Sequence, residues 1–143
     1  MDKQEAKLRA QLQGTGVSVT RSGNDLILNM PGNITFKTAS ADLNANFYKV
    51  LDSVSLVLKE FDKTLLEVAG HTDNTGNAAN NKTLSLKRAT SVVDYLVQHG
   101  IAATRVSAKG FGAERPIVSN DDETEGRAIN RRTEIEILES NGG

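Results

Sequence analysis

Residues 64–100, TLLEVAGHTDNTGNAANNKTLSLKRATSVVDYLVQHG, pass from one periodicity to another. Thr64 to Thr72 alternate as a strand does, with Leu66 and Val68 turned inward. The next nine residues, DNTGNAANN (73–81), hold nothing apolar larger than Ala and read as a surface loop. Residues 82–99 then recur at helical spacing, with Leu86, Ala89, Val93 and Leu96 expected on the buried side. Gly100 follows as a helix-ending C′ residue. A strand, a polar loop and an amphipathic helix in this order make half of an α/β unit.

The flanks extend that unit. Downstream, residues 105–112 (RVSAKGFG) read as a glycine-weakened strand and 113–130 as a long polar loop with a helical turn near Thr124–Asn130. Thr133, Ile135 and Ile137 then alternate with Arg132, Glu134 and Glu136 in a last strand. Upstream, Phe47, Leu51, Val54, Leu58 and Phe61 mark an amphipathic helix over 45–61. Two alternating runs within 17–30, turning at Ser22–Asp25, form a hairpin that Pro31-Gly32 ends. Residues 2–13 are strong helix formers with few large apolar side chains, so this helix is expected to lead into the domain from outside its core. The order is β-β-α-β-α-β-β. It specifies an α/β (α+β) sandwich, a mixed sheet of four to five strands covered on one face by two amphipathic helices. Residues 1–15 are taken as a leading helix and linker, 16–138 as the domain, and 139–143 as a tail.

Composition narrows the function. A chain of 143 residues makes one domain able to bury roughly 68–70% of its unfolded surface. With 38% hydrophobic and 24% charged residues it fits neither a disordered nor a membrane-spanning class. Its net charge of −1 lacks the basic excess of a nucleic-acid binder. The absence of cysteine excludes disulfide scaffolds, thiolate metal sites and cysteine nucleophiles. No apolar run approaches the roughly 18 residues of a spanning helix, and the charged start MDKQE has no signal-peptide core.

Polar residues gather in two loops and on one helix: Gly70–Gly76, Gly126–Arg132 and Leu84–Ala89. Arg88 falls at the edge of the helix's buried stripe, where its head reaches a groove. A carboxylate and a guanidinium projecting into one groove suit a zwitterionic ligand, since Arg grips carboxylates bidentately and Asp accepts from ammonium. Asp73 paired with Arg88 or Arg131 as a structural ion pair accounts for the same residues, and both readings stay open here. His71 and Asp73 fall short of a metal site, because only the distant His99 offers a second imidazole. There is no Gly-x-Ser-x-Gly elbow. Gly110-Phe111-Gly112 lacks the rest of a phosphate loop, so no cofactor is expected.

These residues also carry a resemblance. The series Gly70-His71-Thr72-Asp73-Asn74-Thr75-Gly76, Leu84-Ser85-x-x-Arg88-Ala89, Gly100-Ile101, Arg105-Val106, Gly110-Phe111-Gly112, Pro116, Asn120 and Gly126-Arg127-Ala128-x-Asn130-Arg131-Arg132-x-Glu134-Ile135 is similar to the OmpA-like (OmpA/MotB C-terminal) peptidoglycan-binding domain. The segment ahead of Pro31 resembles a subgroup of bacterial outer-membrane lipoproteins with that domain. The resemblance implies non-covalent, non-enzymatic binding of the peptidoglycan stem peptide through its diaminopimelate residue. It maps the main binding pair onto Asp73 and Arg88 and a second arginine onto Arg131, with Thr72 and Asn74 close by. It further implies a domain on the periplasmic face of the outer membrane, attached through an N-terminal lipid anchor that would precede Met1. Two alternatives remain at this stage, a wall-active hydrolase using His71 and Asp73, and a stator-like anchoring domain. Acidic residues at Glu114, Asp121, Asp122, Glu123 and Glu125 would oppose a polyanionic ligand if they lined the groove.

Overall fold

The computed structural model describes residues 2–37, 40–120 and 125–138; the acidic run 121–123 and the tail 139–143 lie outside them. Five strands, β1 (Ser18–Ser22), β2 (Asp25–Pro31), β3 (Leu65–His71), β4 (Val106–Gly110) and β5 (Arg132–Leu138), form one mixed sheet. Its order is β1-β2-β5-β3-β4. Only β3 and β4 run parallel. The helices are α1 (Asp2–Leu12), α2 (Gly32–Thr35), α3 (Tyr48–Glu60), α4 (Ala78–Gln98) and α5 (Glu125–Asn130). Helix α4 is the crossover that a parallel pair requires.

The register builds one apolar face. Val19, Leu28, Ile135, Val68 and Ala108 line up across all five strands, and Leu26, Ile137, Leu66 and Val106 form the next row. Against these rows pack Leu51, Val54 and Leu58 of α3 and Ala89, Val92 and Leu96 of α4, all fully buried. The opposite face carries Glu67, Glu134, Glu136 and Lys109, as alternation requires.

A third row ends in glycine: Met30, Thr133, Gly70, Gly110. A Cβ on Gly70 would lie 2.1 Å from the Ser85 carbonyl oxygen, and one on Gly110 would lie 2.5 Å from the Leu86 nitrogen. Here α4 rests on bare sheet backbone. This close seat shifts the buried stripe from the one expected. Ser85, Arg88, Ala89, Val92 and Leu96 are buried, Val93 is half-buried, and Leu86 is 45% exposed. The helix also begins four residues earlier than expected, because the Asn77 side chain accepts from the Asn80 N–H at 3.1 Å and caps it. Its far end closes as the glycine predicts. Gly100 has φ +102°, its N–H reaches the Val97 carbonyl, and the Ile101 N–H reaches Leu96.

Helix α1 departs from expectation. It lies against α3 and the hairpin and joins the core, with Gln4, Leu8 and Leu12 buried along one seam. Counting apolar residues hid this, because Ala6 and Ala10 face out and the i, i+4, i+8 seam holds only two leucines. Burying those two contributes roughly 1.5–3 kcal/mol each. Arg21 reinforces the contact through Asp2 and Glu5, each at 2.9 Å, as does Lys7 through Glu60 at 2.5 Å.

Two further devices position the site. The short helix α2 follows β2 directly, and the Asn44 side-chain amide donates to the Ile34 and Phe36 carbonyls at 3.2 and 3.0 Å. That fixes the segment carrying Phe36. At the other end of the sheet, the Arg105 guanidinium donates to the Leu58, Phe61 and Thr64 carbonyls and closes the end of α3.

Candidate functional site

The loop leaving β3 turns at Asp73, which is 6% exposed. One carboxylate oxygen accepts the Thr75 N–H at 2.8 Å, an Asx-type turn, and the other accepts from the Arg131 guanidinium. Burial alone would raise its pKa. The Thr75 and Arg131 hydrogen bonds outweigh that and hold it below the ordinary carboxylate value. Asp73 therefore stays ionised. Asn81 of α4 braces the loop by donating to the Thr75 carbonyl at 2.9 Å.

Arg88 reaches the same region from α4. Its position follows from the glycine seat: Ser85, one turn earlier, lies against Gly70, and its hydroxyl accepts the Gly112 N–H at 2.9 Å. The Arg88 guanidinium donates to the Ser40 carbonyl at 2.8 Å and lies over the Phe36 ring at 5.0 Å. Among the described residues it has no carboxylate partner. Burial, and after it the neighbouring charge of Arg131, lowers its pKa from the usual arginine value. A cation so placed is under-compensated, and an arriving anion relieves it.

Arg131 stands where α5 hands over to β5. Its backbone N–H bonds Arg127 and its carbonyl takes the Gly32 N–H at 2.8 Å, so the backbone is fixed while the side chain remains 45% exposed. Arg132, next in sequence, is buried and structural: it donates to Glu134 at 2.8 Å and to the Arg115 carbonyl at 3.0 Å. Asn130 anchors the preceding turn, accepting from Ile117 and Val118 and donating to the Val118 carbonyl and Asn120. Of the remaining expected residues, Thr72 is buried. Its N–H bonds the Gly112 carbonyl and its hydroxyl the Asp73 carbonyl. Asn74 is exposed and accepts from Arg127 at 3.2 Å.

His71 belongs to a different cluster. Its ring stacks on Phe111 at 5.3 Å, Arg115 covers Phe111 at 3.8 Å, and Glu134 lies 3.8 Å from Nε2. Burial, then the charge of Arg132, lowers its pKa to about 4. A neutral, ring-stacked imidazole in this place shapes the base of the site loop and is poorly set for general-acid work near neutral pH. Among the described residues no group of three or more His, Cys, Asp or Glu is arranged to hold a metal ion. Of the acidic residues that follow β4, Glu114 lies 3.4 Å from Lys82.

Sequence reasoning missed Phe36 and Ser40, which cradle Arg88 from 52 and 48 positions away, as well as Ser85 and Asn81. The signal for Ser85 was present in its motif. Nothing in the segment 33–44 marked it as a wall of the groove.

The chain is similar to known proteins in sequence and in fold. The family described as the OmpA family matches residues 35–131. Over 137 residues, 96% of its length, the chain is 50% identical to the probable lipoprotein YiaD of Escherichia coli, of which it covers 62%. It is 41% identical over 106 residues, 74% of its length, to the peptidoglycan-binding protein ArfA of Mycobacterium tuberculosis, of which it covers 32%. The chain thus spans less than two thirds of the length of these relatives. The solved structure of the cell wall anchor of the T6SS from Pseudomonas aeruginosa superposes with a TM-score of 0.83 at 30% identity, over 95% of this chain and 97% of that one. No helix among the described residues is long and apolar enough to cross a membrane.

Proposed function

The chain belongs to the OmpA family, and from that premise we propose that it binds peptidoglycan non-covalently, without catalysis, through the diaminopimelate of the stem peptide. In this reading the binding site lies within residues 16–138, and α1 packs into the same core. The domain tethers an outer-membrane lipoprotein to the cell wall from its periplasmic face. The relatives described as a lipoprotein, as peptidoglycan-binding and as a cell wall anchor support it.

One observation carries the choice of ligand: a buried guanidinium with no carboxylate partner among the described residues, in the same region as a buried carboxylate held ionised. Arg88 takes the diaminopimelate carboxylate as a two-pronged donor. Asp73 takes the ammonium group. In the free site Arg131 occupies Asp73 as a stand-in cation. Its exposed side chain yields that place to the ligand and turns to a second ligand carboxylate. Thr72 fixes the loop that presents Asp73, and Asn74 offers its side-chain amide at the rim. Charge-assisted hydrogen bonds of about 1.5–3 kcal/mol each set the affinity.

Co-sedimentation with purified sacculi tests the reading. The domain pellets with diaminopimelate-type walls, less with lysine-type walls that lack the second carboxylate, and not after Asp73→Ala or Arg88→Ala. Folded variants that sediment like the parent would remove both residues from the site.

A further inference from the structure

Away from the binding groove, one side of the molecule carries two unpartnered surfaces next to each other. Strand β4 ends the sheet, so its outer edge pairs with no strand among the described residues. Helix α4 sits on β3 and β4, close enough that a Cβ on Gly110 would lie 2.7 Å from the Leu86 Cβ. One flank of α4 turns to α3, where the Tyr95 hydroxyl donates to Asp52 at 2.6 Å. The opposite flank holds Thr83, Leu86, Thr90, Val93 and Val97. Steps of three, four, three and four residues keep all five on one strip of the helix. Leu86 is 45% and Val97 36% exposed, Val93 is half-buried, and both threonines are exposed. A single exposed leucine is ordinary. A strip about 21 Å long beside an open sheet edge is not.

The charges beside the strip select what covers it. Lys87 and Asp94 directly follow Leu86 and Val93, and neither forms an ion pair among the described residues. Asp94 also borders the concavity that Lys37, Leu43 and Tyr95 line, and it forms no ion pair there either. Two copies of α4 packed antiparallel about Thr90 set Lys87 of one level with Asp94 of the partner subunit, to within about 1.5 Å along the axis. The two-fold axis repeats the pair, so all four charges are met. A parallel pairing would set Lys87 against Lys87 and Asp94 against Asp94. The strip is therefore complementary to itself, run in the opposite direction.

We propose that this strip of α4 is a homodimer interface, in which a second copy of the chain packs antiparallel across Leu86, Val93 and Val97 and is held in register by Lys87 and Asp94. Arg88 projects from the opposite side of the helix, about half a turn away. Pairing thus leaves Asp73 and Arg88 of both copies open. A strip one helix wide falls short of the roughly 1,200 Å² of a standard interface, so the pairing is weak and reversible in solution. It does not depend on the wall-binding reading. What rests on that reading is its use, because two sites held on one polymer bind with avidity neither has alone.

Sedimentation equilibrium over about 10 μM to about 1 mM, the range expected of so small an interface, tests it. The average mass of the parent rises toward that of a dimer. Leu86→Glu and Val97→Glu, both at exposed positions, keep the parent's circular dichroism and stay monomeric. Lys87→Glu and Asp94→Lys each weaken the dimer about tenfold, because each turns two attractive pairs into two repulsive ones. Combining them restores it. A parent that stays monomeric throughout that range overturns the proposal, as does a dimer that survives both Leu86→Glu and Val97→Glu. A double exchange of Lys87 and Asp94 that fails to restore the dimer overturns the antiparallel register. Titration of monomeric Leu86→Glu with a diaminopimelate-containing tripeptide reads the other site separately. Binding equal to the parent's shows that pairing and peptide recognition use opposite sides of α4, whereas no binding by either protein removes the wall reading and leaves the dimer standing.

Discussion

Gly70→Ala is the sharpest probe of how the fold makes the site. The added methyl would lie 2.1 Å from the Ser85 carbonyl oxygen and 2.8 Å from its carbon, both backbone atoms. Side-chain rotation cannot relieve a backbone contact, so α4 must retreat. Restoring even 3.0 Å, below which such contacts are essentially absent, takes about 1 Å of helix movement at Ser85. Overpacking of this kind costs about 1–3 kcal/mol, which lowers the melting temperature of a domain this size by roughly 3–12 °C. The same retreat carries Arg88, one turn on, away from Asp73, which belongs to a loop on β3. Charge-assisted hydrogen bonds weaken steeply with misalignment, so affinity for the diaminopimelate tripeptide falls about tenfold or more. Thermal melts followed by circular dichroism and a binding isotherm on the same preparation measure both effects. Ser107→Ala, on the exposed face of β4, serves as the control and changes neither. A Gly70→Ala protein that melts with the parent and binds with parental affinity would refute the close seat of α4 and the coupling drawn from it.

Three further outcomes follow from the packing. His71 titrates near 4 in the folded protein against 6.5 ordinarily, so between those values the unfolded chain holds the extra proton. Stability therefore rises with pH across that window, and acidification through it removes on the order of 3 kcal/mol; urea unfolding at stepped pH shows this slope, and His71→Gln flattens it. Leu8→Ala leaves a cavity under α1 and costs about 2–5 kcal/mol by urea unfolding, whereas a loss below roughly 0.5 kcal/mol would mean the helix is only a leader. Asn130→Ala strands the Ile117 and Val118 N–H groups and costs about 2–4 kcal/mol. It also frees the turn before Arg131, so amide exchange rises over 117–120 and 125–131 and stays slow in β3.

Much of the architecture was legible because the apolar rows are long and regular. Leu26, Leu28 and Met30, Leu66 and Val68, and Ile135 and Ile137 each announce a strand with one buried face. The misreadings share a cause, which is that tertiary contacts outweighed local pattern. Leu86 looked like a core residue by period, but the glycines beneath α4 turned a serine and an arginine inward in its place. Helix α1 looked too polar to be buried, yet three side chains at the right phase sufficed. At the site, the polar loop and helix motif located Asp73, Arg88 and Arg131, and their pairing was the part left open. The structure joins Asp73 to Arg131 and leaves Arg88 with a carbonyl and a ring. No local pattern reports that distinction, because Phe36 and Ser40 come from a distant segment whose residues carry no periodicity.

The position of β5 has a consequence for the order of events during synthesis. It lies between β2 and β3, pairing with both, although it is the last strand along the chain. Without it the hairpin and the parallel pair have no common edge, and each exposes half of an apolar face. A chain emerging amino terminus first thus cannot complete the sheet until residues near 138 are free to insert between β2 and β3. Folding is then a single late event, gated by long-range pairing. Until that event the facing edges of β2 and β3 stay unpaired, and a chain that loses β5 keeps its hairpin and its parallel pair with no strand to join them.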